Sequence, residues 1–261
     1  MSSMKAILKE IIPRKYLIRV KNIYLFMRSI FYAGNKYYCP CCEGRFSKFL
    51  SLKNYPESYV MCPRCESLER HRLLWMYLTE KTNMFSGKKK VLHIAPEFSF
   101  LKLLSKMNGI DYVSADKESP FAEVKMDITK IQYDDNSFDI VFCNHVLEHI
   151  PDDKKAMQEI YRVLKPGGWA ILQSPVNMKL ERTFEDPKVV SPRERQRIFG
   201  QRDHVRKYGK DYSERLSNCG FIVNVNGYVR ELHEEKINKY KLDRNEDIYH
   251  CIKNDYEKIQ C

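Results

Sequence analysis

Nowhere in the 261 residues does an apolar run approach the ~20 needed to cross a bilayer, so the sequence offers no membrane-spanning helix. The first 33 residues are punctuated throughout by Lys and Arg, and no signal peptide is expected from them. Acidic residues are few beside basic ones, 34 against 45, which leaves a formal net charge of +11 and a pI near 9.1. That balance points to an anionic partner: nucleic acid, a phospholipid surface or a phosphorylated small substrate. No spread-out disulfide framework is present either. Of nine cysteines, five fall at positions 39, 41, 42, 62 and 65, which reads as a metal site in a reducing compartment, and a cytoplasmic location is expected.

What is there is 43% hydrophobic and 30% charged, enough to bury one main core with a small appendage. Residues 1–36 carry +7 of the total charge. Pro13 divides two helical patterns, and in the second Leu17, Val20, Tyr24, Met27 and Phe31 recur at helical spacing among basic residues. Such a basic amphipathic helix either lies on an anionic membrane surface or packs on the rest of the protein or a second subunit. Residues 37–66 follow as a zinc ribbon. Cys39-x-x-Cys42 and Cys62-x-x-Cys65 are separated by 19 residues, room for a small β-hairpin, and four thiolates leave no open position, so the metal is expected to be structural. Cys41 is read as a bystander, and His71, in a helix spanning Ser67 to Thr82, as a surface or packing residue.

From Phe138 the chain reads strand, loop, helix, glycine turn, strand. Ile140 to Cys143 form an apolar run suited to a strand buried on both faces. Asp152 is placed to cap a helix with apolar positions 156, 157, 160, 163 and 164, and Pro166-Gly167-Gly168 ends it before a second strand, Trp169 to Gln173. In open α/β sheets ligands bind beyond the carboxyl ends of strands, which places Asn144, His145, Glu148 and His149 at a candidate site. The stretch NSFDIVFCNHVLEHIPDDKKAMQEIYRVLKPGGWAIL resembles the fourth-to-fifth-strand segment of class I S-adenosylmethionine-dependent methyltransferases of the type 11 group. The resemblance implies an α/β fold with a Rossmann-like doubly wound sheet over residues 67–261, and S-adenosyl-L-methionine as cofactor. The larger arrangement of basic helix, ribbon, LERHRLLW helix, HIAPE loop and GQ-x-DHVR-x-YG segment resembles bacterial methyltransferases of surface-polysaccharide synthesis.

Under that resemblance, VLHIAPEFS is the cofactor loop, but Ala95, Glu97 and Ser99 stand where glycines are usual and Pro96 has no N–H. His93, Ala95 and Glu97 are candidate cofactor contacts, Glu97 toward the ammonium group. Asp116, about 20 residues past the loop at a strand end, is placed to accept from both ribose hydroxyls. Asp127 and Ile128 resemble the family's adenine-edge pair, and Asn144 and His145 complete the cofactor set.

A substrate-binding insertion is expected over 176–210. Ser191-Pro192-Arg193-Glu194 predicts a helix start, and Arg193, Arg195, Arg197, Arg202, Arg206, Lys207 and Lys210 are candidates to hold an anionic acceptor. His204 beside Asp203, or His145, is the candidate base for a hydroxyl nucleophile. Strands are expected at 221–228 and 247–252, with 230–246 a charged linker. The acceptor expected is a small molecule or glycan, lipid-linked and anionic forms among them. An RNA base methyltransferase using the ribbon for RNA is the alternative, although the fourth strand lacks an Asp/Asn-Pro-Pro-aromatic clamp and the ribbon lacks interleaved aromatic and basic residues. A zinc-containing scaffold with an inactive cofactor site is a third reading.

Overall fold

The computed structural model describes residues 13–52 and 59–255. The first of the two N-terminal helical patterns lies outside them. Helix α1 (Arg14–Ile30) leads into an antiparallel hairpin, β1 (Ala33–Cys39) and β2 (Gly44–Phe46), and helix α2 (Glu69–Lys81) carries the chain to the main sheet. There β3 (Lys89–Ile94) is followed by α3 (Phe98–Leu104), β4 (Ile110–Asp116) and β5 (Val124–Lys125), and the chain then returns through β6 (Phe138–Asn144), α4 (Asp153–Val163) and β7 (Leu164–Gln173). After β8 (Phe184–Glu185), α5 (Pro192–Phe199), β9 (Arg206–Lys207) and α6 (Tyr212–Ser217) come β10 (Ile222–Asn226), α7 (Glu234–Tyr240) and β11 (Ile248–Ile252).

The seven-stranded sheet has the order β10-β11-β7-β6-β3-β4-β5. The strands β7, β6, β3, β4 and β5 run parallel, and at the other edge β11 pairs antiparallel with both β7 and β10. Alternate residues of β6 serve two cores: Val141 and Cys143 join α4 and α6 on one face, and Ile140 and Phe142 join α2, α3 and α7 on the other. This three-layer α/β arrangement is of the Rossmann type, and it explains why β6 is apolar at successive positions. The Asp152 carboxylate accepts from the Lys155 N–H, and Ser191 from the Glu194 N–H, so both expected helix starts are capped.

Two local expectations are corrected. Pro166 to Gly168 do not form a free turn. The strand resumes at Leu164 directly after the helix, and its register against β6 is irregular there. The segment 230–246 is no linker, because it contains α7, whose Ile237 and following Leu242 are buried in the second core.

Helix α1 is turned the unexpected way. Its basic residues at seven-residue spacing face inward: Arg14 donates to the Phe121 carbonyl and Ser114 Oγ, Lys21 pairs with Glu66 at 2.8 Å, and Arg28 donates to the Pro63 carbonyl. Of the expected apolar stripe, Val20, Tyr24, Met27 and Phe31 are 53–84% exposed, and Tyr16, Ile23 and Ile30 lie open beside them. Among the described residues no helix is long and apolar enough to cross a membrane.

The hairpin and the sheet are tied by Arg72 of α2, which is fully buried. Its guanidinium donates to four carbonyls, those of Val60 and Ser67 beside the hairpin and those of Tyr240 and Lys241 at the end of α7, and it lies 4.5 Å over the Phe49 ring. Removing it would take a donor from all four carbonyls, Ser67's keeping the Cys62 N–H. Arg72→Ala is expected to lower unfolding free energy in urea by about 3 kcal/mol or more, and Arg72→Lys to recover only part of it, because an ammonium has three donors and no fork.

Candidate functional site

From β3 the chain crosses to β4 and β5 on one side, then returns to β6 on the other, so β3 and β6 part at a topological switch point. The residue ending each turn there is left-handed without being glycine: Ala95 has φ 49° and His145 φ 54°. Both keep their ladder bonds, Ala95 N–H to the Ala115 carbonyl and His145 N–H to the Gln173 carbonyl. Ala95 therefore performs the turn that glycine usually makes, at a cost of about 1–2 kcal/mol of backbone strain, and such strain concentrates at functional sites.

Beside Ala95 lies a cavity of about 350 Å³ that brings together Ala95, Asp116, Asp127 and Ile128 with Met126 and Val146. Asp116 Oδ1 accepts from the Glu118 and Ser119 N–H groups, which fixes the carboxylate at the strand end. The backbone and hydroxyl of Thr129 hold the Asp127 carboxyl below its ordinary range. Ile128 is buried and supplies an apolar wall.

Asn144, His145, His93 and Glu97 do not line that cavity but sit at the adjoining ends of β6 and β3. His93 is corrected: it is wholly buried, with Nδ1 2.9 Å from the Tyr112 hydroxyl and Nε2 2.7 Å from Glu97 Oε2, so it props the loop from beneath and faces no ligand space. Burial alone would raise the pKa of Glu97, but the hydrogen bond and charge of His93 hold it at about 2. Its Oε1 is buried without a hydrogen-bond partner, as are Ser99 Oγ, both amide atoms of Asn144 and Nε2 of His145. Buried polar atoms are normally paired, so four residues with orphaned groups at one switch point mark a polar ligand's place. Arg70, with its Nε also buried and unpaired, contributes charge to the same neighbourhood through His71 and Glu246. The sequence marked Ser99 only as a residue standing where a glycine is usual, and no signal had singled out Arg70. Their helical and loop positions carry meaning only once α2 is seen to reach the loop.

On the other side, the insertion is clamped onto the loop that follows β6. Arg206 is buried, donating to the Leu147, Ile150 and Pro151 carbonyls and to the Glu185 carboxylate, and the Val205 N–H donates to the Glu148 carbonyl. Arg206 is thus corrected from an acceptor-binding residue to a structural one. Gly209 passes so close to Leu180 and Arg182 that a Cβ would lie 2.6 Å from the Arg182 carbonyl carbon, and only glycine fits. The clamp brings His204 against His149, ring centroids 4.7 Å apart, near Glu148. Asp203 is corrected as the partner of His204: its Oδ2 lies 3.3 Å from Nδ1 of His149. His145 Nδ1 lies 3.4 Å from Glu148 Oε1. His204 also borders an open cavity of about 520 Å³ with Val176, Asn177, Phe199 and Lys207. Burial holds His204 below the ordinary imidazole value, so it is neutral at pH 7.

The four cysteines of the hairpin region converge. Their Sγ atoms all lie within 4.8 Å of one another, with Cys39 to Cys65 at 3.6 Å and Cys42 to Cys62 at 3.7 Å. Four thiolates at zinc–sulfur bonds of ~2.3 Å stand about 3.8 Å apart, so the donor set fits a tetrahedral ion. Glu43 and Glu66, each directly after a C-x-x-C, take matching left-handed turns with φ 56° and 60°. Cys41 stays outside the cluster, its thiol pointing to the His71 carbonyl at 3.7 Å.

Residues 87–172, the segment from β3 to β7 that carries the switch point, match the family described as methyltransferase domain. This segment is a methyltransferase domain. The chain is 43% identical to phosphoethanolamine N-methyltransferase 2 of Caenorhabditis elegans over 58 residues, 21% of this chain and 13% of that protein. It is 25% identical to demethylmenaquinone methyltransferase of Staphylococcus epidermidis over 136 residues, 46% of this chain and 56% of the other. The chain therefore spans little more than half the length, or less, of these curated relatives. Among solved structures, phosphoethanolamine N-methyltransferase 2 of Haemonchus contortus in complex with S-adenosyl-L-methionine superposes with a TM-score of 0.46 at 17% identity, covering 70% of this chain and 52% of that one.

Beneath the methyltransferase domain's first loop, His71 is buried with Nδ1 accepting the Leu68 N–H and Nε2 3.7 Å from Glu97. Burial lowers its pKa to about 3, against an unfolded value near 6.5. Between those values the unfolded chain binds the proton and the folded one does not. The contribution is thus fully present above pH 6.5 and is lost at about 1.4 kcal/mol per pH unit as pH falls toward 3. Urea unfolding at a series of pH values should show this slope, flattened by one proton in His71→Gln.

Proposed function

We propose that the protein is an S-adenosylmethionine-dependent methyltransferase acting on a hydroxyl of a small-molecule or glycan acceptor, anionic in character. The observation that carries the reading is the set of orphaned polar groups at the ends of β3 and β6, on Glu97, Ser99, Asn144 and His145, adjoining the cavity of Asp116, Asp127 and Ile128. The fit is chemical. Asp116 would hold the ribose hydroxyls, Asp127 the adenine amine with Ile128 against the ring, and the orphaned groups the amino-acid end. When bound, the cofactor supplies a methyl group on a sulfonium.

The chain's own work is placement. The strained turns at Ala95 and His145 open the backbone for the ligand, and the Arg206 clamp holds the second cavity, with His204, on the far side of the loop after β6. Proximity and orientation supply most of what an alkyl transfer needs, and a neutral buried imidazole is able to take a hydroxyl proton. Half-buried Lys207, which lines that cavity, and the neighbouring arginines of α5 favour an anionic acceptor. At the cysteine cluster we infer a structural zinc ion, held by Cys39, Cys42, Cys62 and Cys65 with no position left for substrate.

Calorimetric titration with S-adenosylhomocysteine tests the reading. Binding is expected for the wild-type protein, and Asp116→Ala should weaken it by about 2 kcal/mol, or roughly thirtyfold, for two lost charge-assisted hydrogen bonds. Absence of binding at tens of micromolar protein would instead favour a scaffold. Incubation of cell extract with isotopically labelled S-adenosylmethionine then identifies the acceptor by mass, and labelled RNA would overturn the small-molecule assignment.

The outward apolar face of α1 we assign to an anionic membrane surface. Lys15 and Arg19 flank it, exposed, while the helix's other cations are spent inward. Flotation with anionic vesicles should retain the wild-type protein and release Ile23→Glu/Met27→Glu. Equal flotation of both sinks the assignment, and concentration-dependent dimerisation lost in the variant would identify a second copy as the occupant instead.

A further inference from the structure

The side chains where the insertion meets the loop after β6 form a second donor cluster, distinct from the cysteines. Glu148, His149 and His204 each direct one ligand atom into a space where all three lie within 4.8 Å of one another. Glu148 and His204 are 2% and 5% exposed, and His149 closes the solvent side. Two of the three come from one turn, Leu147–His149, and the third from the insertion, so the cluster exists only because Arg206 and the Val205 N–H fasten the two together.

We propose that Glu148, His149 and His204 bind a divalent transition-metal ion, and that this ion presents the acceptor's hydroxyl to the methyl donor. The inference rests on the methyltransferase reading for its role, and on the donor geometry for its existence. Two imidazoles and one carboxylate are the donor set of open catalytic sites, in which three protein ligands leave a position for water or substrate. Imidazole-rich sites select zinc, copper, iron or nickel over calcium or magnesium.

Two of the donors also have the outer partner that ligands characteristically have: Ser174 Oγ donates to Glu148 Oε2 at 2.9 Å, and the Asp203 carboxylate lies 3.3 Å from His149 Nδ1. The remaining side opens through His204 to the cavity of about 520 Å³, which would hold the acceptor. With a ring nitrogen on the ion, His204 would not itself be the base: a hydroxyl coordinated there would lose its proton to water more readily than a free one, and the electron pair left on oxygen would form the new C–O bond as the methyl–sulfur bond breaks and the thioether leaves. Asp203 then has a function its exposure had hidden: it positions His149 and does not touch substrate.

Cobalt(II) titration of the full chain reads both clusters at once, because thiolate and nitrogen–oxygen coordination give different visible spectra. Two equivalents are expected, one with sulfur-to-metal charge transfer from the cysteine cluster and one with the weaker bands of a nitrogen–oxygen site. Glu148→Gln and His149→Gln should each lose the second equivalent and keep the first, which certifies that the variant is folded. Asp203→Asn should weaken the second by about tenfold. A single equivalent in the wild-type protein overturns the proposal, as does a second equivalent that survives both ligand substitutions. S-adenosylhomocysteine titration of the same samples reports on the methyl-donor reading separately, since it senses Asp116 and Asp127 and none of the three donors.

Discussion

A single buried cation fastens the insertion to the loop after β6. Arg206 spends its guanidinium on three loop carbonyls and a carboxylate, and those acceptors belong to pieces of chain 21 to 59 residues away in sequence. The Leu147 carbonyl also receives the Ile150 N–H, but the short two-stranded pairing of β8 with β9 is too small to fix the insertion alone. Around Arg206 a network adds further weight: Asp153 receives Tyr208 and Arg215, and Glu185 receives Arg206 and Arg215. A buried charge paired this thoroughly is retained less for net stability than for the one arrangement it permits. Here that arrangement sets His204 against Glu148 and His149.

The framework was legible in the chain because its signals are local. The apolar run at Ile140 to Cys143, the Asp152 and Ser191 caps and the two C-x-x-C pairs each depend on neighbours a few residues apart. Asp116 was singled out by a strand end at the expected interval and Asp127 by the family resemblance, and the two line one cavity. What could not be read was direction. The spacing of Leu17, Val20, Tyr24 and Met27 identifies an amphipathic helix, but only the positions of Ser114, Phe121 and Glu66 determine that its basic side turns inward. Likewise Arg206 looks like any other arginine of a basic segment until the carbonyls of Leu147, Ile150 and Pro151 are placed around it. His93 and Glu97 show the same limit on a smaller scale, since one strand position decides that the histidine supports the loop from below.

The two halves of the candidate site draw on different parts of the molecule. The cofactor side leans on α2, whose first turn brings Arg70 and His71 under the Ala95–Ser99 loop, and α2 in turn emerges from the cysteine cluster through Ser67, whose hydroxyl lies 3.1 Å from Cys39 Sγ. Order in the hairpin is thereby order beneath the loop. The side that carries His204 owes nothing to the cysteines and depends on the insertion.

Arg72 has a consequence for how the chain comes into being. Two of its four carbonyl acceptors, on Val60 and Ser67, leave the ribosome at about the same time as the arginine itself, whereas those on Tyr240 and Lys241 emerge some 170 residues later. At ordinary synthesis rates of about 5–20 residues per second the half-coordinated guanidinium waits roughly ten to thirty seconds for them. During that interval the cysteine hairpin can close on its own knuckles and pack on Trp75 and Leu103, but its contact with α7 is not yet available. Completion of the amino-terminal region is therefore a late event in the life of the nascent chain, timed by its carboxyl-terminal helix.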